Sequence, residues 1–116
     1  MQRITTASCP LPRRDRPNVL PLEGEIDLNV SPNVAESLGA MIEKRPKHLV
    51  VDLTRVTYLD SSALAVLIEG MQNVEAYSGK FALAGLSDDV RTIIEIANLD
   101  QVFRIFPDAD AALAAA

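Results

Sequence analysis

The residues best suited to chemistry form one tripeptide, Asp60-Ser61-Ser62, a carboxylate followed by two hydroxyls. It follows the strand-like segment Leu49 to Leu53 and opens a second, helix-periodic stretch, so it belongs at a strand-to-helix turn. Backbone N–H groups at a helix start lack intrahelical partners, and the positive end of the helix dipole lies beside them. One reading is purely structural, since Asp and Ser are preferred N-cap residues. The other is chemical. No nucleophile-activating base is available in sequence proximity, so Ser61 is not read as an enzyme's nucleophile. A hydroxyl in this place is suited to modification instead. A phosphate would add about −1.5 to −2 charge, which the dipole and the free N–H groups tolerate. The domain should survive that change, and a partner docked on Asp60 should not tolerate it so easily. Ala63, Ala65 and Val66 flank Leu64 and Leu67 in the first turns, giving small apolar surface suited to such docking.

Other reactive side chains are sparse. Cys9 is the only cysteine and His48 the only histidine, which excludes an intramolecular disulfide, a four-cysteine zinc site and any two-histidine metal site. His48 precedes Leu49-Val50-Val51 and reads as a strand-edge or loop residue. Eleven Lys and Arg against sixteen Asp and Glu leave a net charge of −5, a sign that repels nucleic-acid phosphates and anionic lipid. No direct nucleic-acid partner is expected, and aromatics at 4%, with no Trp, weaken base stacking further. The apolar run Ala63 to Ile68 is far below the roughly 20 residues that span a bilayer. Met1 to Pro12 lacks a signal-peptide core, so a soluble cytoplasmic chain without membrane insertion is the expectation.

The elements that must position Asp60 to Ser62 follow from periodicity. Residues 1–17 read as a short edge strand, around Arg3 to Ser8, and a Pro/Arg-rich loop holding Arg13, Arg14 and Arg16. A strand follows at Asn18 to Glu23, ending at Gly24. Ser31-Pro32 then reads as a cap and first turn for a helix whose inner face is Val34, Leu38, Met41 and Ile42. His48 to Leu53 is a buried strand. The best helix opens at Asp60 and carries Leu64, Leu67, Ile68, Met71 and Val74 on one face. Phe81 to Leu86 is the next strand, and Ser87-Asp88-Asp89 caps a helix with Val90, Ile93, Ile94 and Ala97 inside. Val102 to Phe106 is a last strand, and Asp108 to Ala116 a terminal helix. With 116 residues folding buries roughly two thirds of the unfolded surface, enough for one core. The expected fold is α/β: one domain with a mixed, largely parallel sheet of four to five strands and about four helices. Parallel central strands would be joined by right-handed crossovers, and an N-terminal hairpin would form the mixed edge.

Three ordered segments carry a family resemblance. Val50 to Leu64, around Asp60-Ser61-Ser62, resembles the phosphorylation-site segment of the STAS domain in its stand-alone bacterial form, the anti-anti-sigma factor. Gly24-Glu25-Ile26-Asp27 is similar to that family's second motif, and Val90 to Leu99 with Val102 to Ile105 to its third helix and last strand. The likeness runs from about residue 18 to 113. It implies phosphorylation of Ser61, with Ser62 second, and a partner-switching cycle. Unmodified, the chain would bind an anti-sigma factor that is a serine kinase, and so free the sigma factor. Phosphorylation would release the kinase, and a metal-dependent serine phosphatase would reset the switch. ATP and Mg²⁺ would belong to the kinase, leaving this chain no cofactor, no metal and no catalytic residue of its own. Asp27 and Asn29 would line the docking edge with Asp60, Ser62, Ala63 and Val66.

The chain departs from the family pattern at Ala63 and Ala65, where glycine is usual, and both changes favour helix by roughly 0.5–1 kcal/mol. Asn98 stands where a helix-ending glycine is common and is an acceptable left-handed substitute. A second reading from another class is a non-switching STAS scaffold subunit of a lipid or solute ABC-transporter assembly. The Gly24-Glu25-Ile26-Asp27 motif favours the switch. A nucleotide-binding enzyme is the poorest reading, because the five glycines are scattered singly and form no phosphate loop.

Overall fold

Strand-forming and helix-forming segments alternate along the chain as β1 (Val19–Ile26), α1 (Ser31–Glu43), β2 (His48–Leu59), α2 (Ser61–Glu75), β3 (Lys80–Ala84), α3 (Asp88–Ile96), β4 (Arg104–Phe106) and α4 (Ala109–Ala114). The structure, a computed structural model, describes residues 16–115. The expected strand at 3–8, and with it the mixed edge, lies outside these residues, as does Cys9. The described strands form one sheet in the order β1-β2-β3-β4, and every neighbouring pair is parallel. Each strand reaches the next through a helix, as parallel pairing demands.

Side-chain alternation divides the sheet into two faces. Leu20, Leu22, Leu49, Val51, Phe81 and Leu83 pack with Val34, Leu38, Leu67, Met71, Val90 and Ile94, so α1, α2 and α3 cover one face. Val19, Val50, Ala82 and Ala84 meet Ala109 and Ala112 of α4 on the other. Alanines on both sides let that short helix sit close to the strands.

Several sequence expectations are corrected. Ala97 is exposed, not on the inner face of α3, and the last strand begins at Arg104, not Val102. β1 does not end at Gly24: it continues to Ile26 through register shifts at Pro21/Glu23 and Gly24/Glu25, with Gly24 at φ +80. β2 does not end at Leu53: Arg55 to Leu59 stays paired with Glu23 to Ile26, although pairing with β3 runs only from His48 to Asp52. Ser31 is not a cap. Val30 holds that position without a side-chain hydrogen bond, and Ser31 is the first helical residue, 2% exposed. The other helices do start on side-chain caps: Asp60 accepts from the Ala63 N–H at 3.1 Å, Ser87 from Val90 at 3.3 Å and Asp108 from Ala111 at 2.7 Å. Asn98, at φ 60, takes the left-handed conformation after α3.

Candidate functional site

The C-terminal ends of β1 and β2 meet where the Asp60 N–H donates to the Ile26 carbonyl at 3.2 Å. That bond brings the turn after β1 and the start of α2 to one end of the sheet. In the turn, the Asp27 carbonyl accepts from Val30 N–H at 3.0 Å and Ser31 N–H at 2.8 Å. One Asp27 carboxylate oxygen accepts from the Asn29 N–H at 3.0 Å. Asp27 is half-buried and Asn29 exposed. Asp27 thus organises its own loop and leaves Asn29 outward.

Asp60 is the hub of the second turn. Its Oδ1 accepts the Ser62 hydroxyl at 2.5 Å as well as the Ala63 N–H. The Ser62 hydroxyl holds the Asp60 carboxyl below the usual carboxylate range, helped by backbone N–H groups of Ala63, Ser62 and Leu28 and opposed by partial desolvation. Hydrogen bonding to the charged form is what favours it. Ser62 in turn accepts from the buried Ser31 hydroxyl at 2.9 Å. Ser61 differs from both. It is exposed, and among the described residues its hydroxyl makes no hydrogen bond.

The expected docking residues divide by exposure. Ala65 is exposed, one turn beyond Ser61 on the outer face of α2, while Val66 is half-buried and packs partly against the core. Ala63 is a correction: it is 2% exposed, and its methyl packs in the core, not on a docking face. Position in the helix explains this, because Ala63 precedes the buried Leu67 by four residues and shares its stripe. Two residues join the site that sequence reasoning missed. Leu28 is 70% exposed and Tyr58 45% exposed, and they sit in the turn after Asp27 and two residues before Asp60. Sequence spacing hid them: Leu28 stands two residues after the buried Ile26 and Tyr58 two after the buried Val56, so each reads as a continuation of a core-facing alternation.

A cleft of about 350 Å³ lies elsewhere, lined by residues that include Arg16, Glu23, Asp52 and Arg55 and sharing none with the Asp60 turn. Among the described residues no group of three His, Cys, Asp or Glu side chains could hold a metal ion. No helix of the described residues is long and apolar enough to cross a membrane.

A four-stranded parallel sheet with helices on both faces, and a free serine at the start of the helix after its longest strand, defines a small α/β domain. The STAS domain family model matches residues 9–112. The chain is 34% identical over 82 residues to the anti-sigma-B factor antagonist of Listeria monocytogenes, covering 71% of this chain and 72% of the relative. It is 33% identical over 88 residues to the anti-sigma-F factor antagonist RsfB of Mycobacterium tuberculosis, covering 76% and 71%. A crystal structure of an anti-sigma factor antagonist from Mycobacterium paratuberculosis superposes with a TM-score of 0.77 at 31% identity, covering 84% of this chain and 82% of the other. The chain belongs to the STAS domain family, among relatives named as antagonists of anti-sigma factors.

Proposed function

We propose that this chain is an anti-sigma factor antagonist, a protein-binding switch that is active unmodified and is turned off by phosphorylation of Ser61. The observation that carries the reading is the contrast between the two hydroxyls: Ser61 is exposed and unengaged, and Ser62 is bonded on both sides. The relatives named as antagonists supply the partner class. Unmodified, the chain docks on an anti-sigma factor serine kinase through Asn29, Leu28, Tyr58, Asp60, Ala65 and Val66, with Asp27 shaping the turn. That releases the sigma factor. Phosphate at Ser61 introduces charge into the centre of this surface and ends docking, while the helix dipole keeps the fold intact. A serine phosphatase restores the free hydroxyl. ATP and Mg²⁺ are bound by the kinase, the chain itself performs no catalysis, and the cycle runs in the cytoplasm.

The test pairs the protein with candidate serine kinases and ATP and locates phosphate by mass spectrometry. Phosphate is expected at Ser61, with Ser61→Ala locking the complex and Ser61→Asp weakening it. A chain that takes no phosphate, and whose complexes with native proteins ignore Ser61→Asp, is a scaffold of the transporter kind and refutes the switch.

A further inference from the structure

We propose that Ser31 and Ser62 form a positioning relay that holds the Asp60 carboxylate in one orientation and ties the Asp27–Ser31 turn to the start of α2. The relay deepens the switch proposed above by naming the residues that leave Ser61 as its acceptor. Its direction follows from proton counting. An ionised carboxylate only accepts, so Ser62 must donate to Asp60, and a hydroxyl has one proton. Towards Ser31 the Ser62 oxygen can therefore only accept, and Ser31 donates. Successive bonds in such a chain polarise one another, so Ser31 strengthens the Ser62–Asp60 bond without touching Asp60. At 2.5 Å that last bond lies at the short end for a hydroxyl on a carboxylate.

Two consequences follow. Ser62 can take a phosphoryl group only by releasing Asp60 and turning its oxygen away from a side chain that is 2% exposed. Ser61 meets neither obstacle. Asp60 is also reached from both sides: the Leu28 N–H approaches from the turn, and the Ala63 N–H from α2. Ser31 joins the same two segments through side chains 31 positions apart. Contact made at Asn29 therefore reaches, through Asp27, Ser31 and Ser62, the carboxylate that precedes Ser61 in the chain.

Asp60 is the reporter, read by carboxyl carbon NMR across acid pH with no partner present. Ser62→Ala should raise the Asp60 titration, and Ser62→Thr should restore it. Ser31→Ala should raise it less, and should add nothing in a Ser62→Ala background, because Ser31 acts only through Ser62. Ser31→Cys, which keeps the side-chain shape with a larger and weaker donor, should fall between wild type and Ser31→Ala, and serves if the alanine variant does not fold. An Asp60 titration indifferent to folded Ser31 variants, or additive shifts in the double variant, overturns the relay. With a serine kinase present, Ser31→Ala should raise phosphate at Ser62 at least several-fold relative to Ser61. The titration needs no kinase, so a relay that fails leaves Ser61 phosphorylation standing, and a chain that is never phosphorylated leaves the relay standing.

Discussion

Ala65 separates the folding role of α2 from its proposed docking role, and Ala65→Glu tests the separation. Ala65 is exposed, one turn beyond Ser61, while Leu67 two residues on is 1% exposed. In the free protein the new carboxylate lies in water. Its costs are a few tenths of a kcal/mol of helix propensity and about 0.2–0.5 kcal/mol of like-charge repulsion from Glu69 four residues on. Together these reach about 0.5–1 kcal/mol, a fall of no more than about 5 °C in Tm for a domain of this size. Bound to an anti-sigma factor, the same carboxylate would be buried without a partner, at about 2–5 kcal/mol. Since 1.4 kcal/mol is tenfold in affinity, binding should weaken by at least about 25-fold. Urea unfolding measures the first number and titration calorimetry against the anti-sigma factor the second. Ala65→Lys carries the opposite sign, so loss with both variants marks burial, whereas loss with one marks a charged partner patch. Leu67→Ala should do the reverse, losing about 2–5 kcal/mol of stability while the folded fraction still binds. Wild-type affinity in folded Ala65→Glu would refute the docking stripe, and a stability loss above about 2 kcal/mol would refute its exposure.

His48 should make stability depend on pH. It is 6% exposed, and among the described residues neither ring nitrogen has a hydrogen-bond partner. Burial, then Arg104 and Lys80, lower its pKa below the usual 6.5. The unfolded chain therefore takes up the proton first as pH falls. The His48 contribution is complete above about 6.5 and is lost as pH drops through the lowered folded-state value. Unfolding free energies measured against pH should show this slope in wild type and not in His48→Leu; an unchanged slope would clear His48 of the effect. Gly85→Ala should cost about 1–3 kcal/mol, because φ there is +73 and an added Cβ would stand 2.1 Å from the Thr54 Oγ1. Thr54→Ala in the same chain should recover most but not all of the steric part, since the Cβ contact at 3.2 Å remains, and leave the backbone part, as compared by urea unfolding. Tyr77→Phe removes a 2.7 Å bond to the Pro46 carbonyl and should lower stability by about 0.5–1.5 kcal/mol in the same assay.

Helix α2 was legible because its buried stripe repeats with helical spacing and its start carries a side-chain cap. The second half of β2 was not. Its buried residues Leu53, Val56 and Leu59 are spaced by three, a rhythm that no regular half-buried strand shows. Register shifts in the pairing with β1 produce that rhythm, and they depend on a strand far away in sequence. Ser31-Pro32 misled for a related reason. The dipeptide is a good local cap signature, but the Ser31 hydroxyl serves a residue on another helix. Val102, expected in the last strand, is 47% exposed in the turn before Arg104. What local spacing encodes was readable, and what long-range pairing decides was not.

The two alanines that replace expected glycines act at different levels. Neither Ala63 nor Ala65 has a positive φ, so the backbone at the start of α2 makes no demand that only glycine meets. At Ala63 the methyl is 2% exposed and fills core space against β-sheet side chains, so there the change belongs to stability. At Ala65 the methyl points to solvent beside Ser61, where a docking backbone would approach. Helix propensity gains about 1 kcal/mol over glycine at such a site, and close approach is lost by the width of a methyl. The fold can absorb both changes; a partner shaped for glycine can absorb only the first. If α2 docks as proposed, an anti-sigma factor that fits this chain should therefore carry a surface recessed to receive Ala65, and partner choice would be set there and not in the sheet.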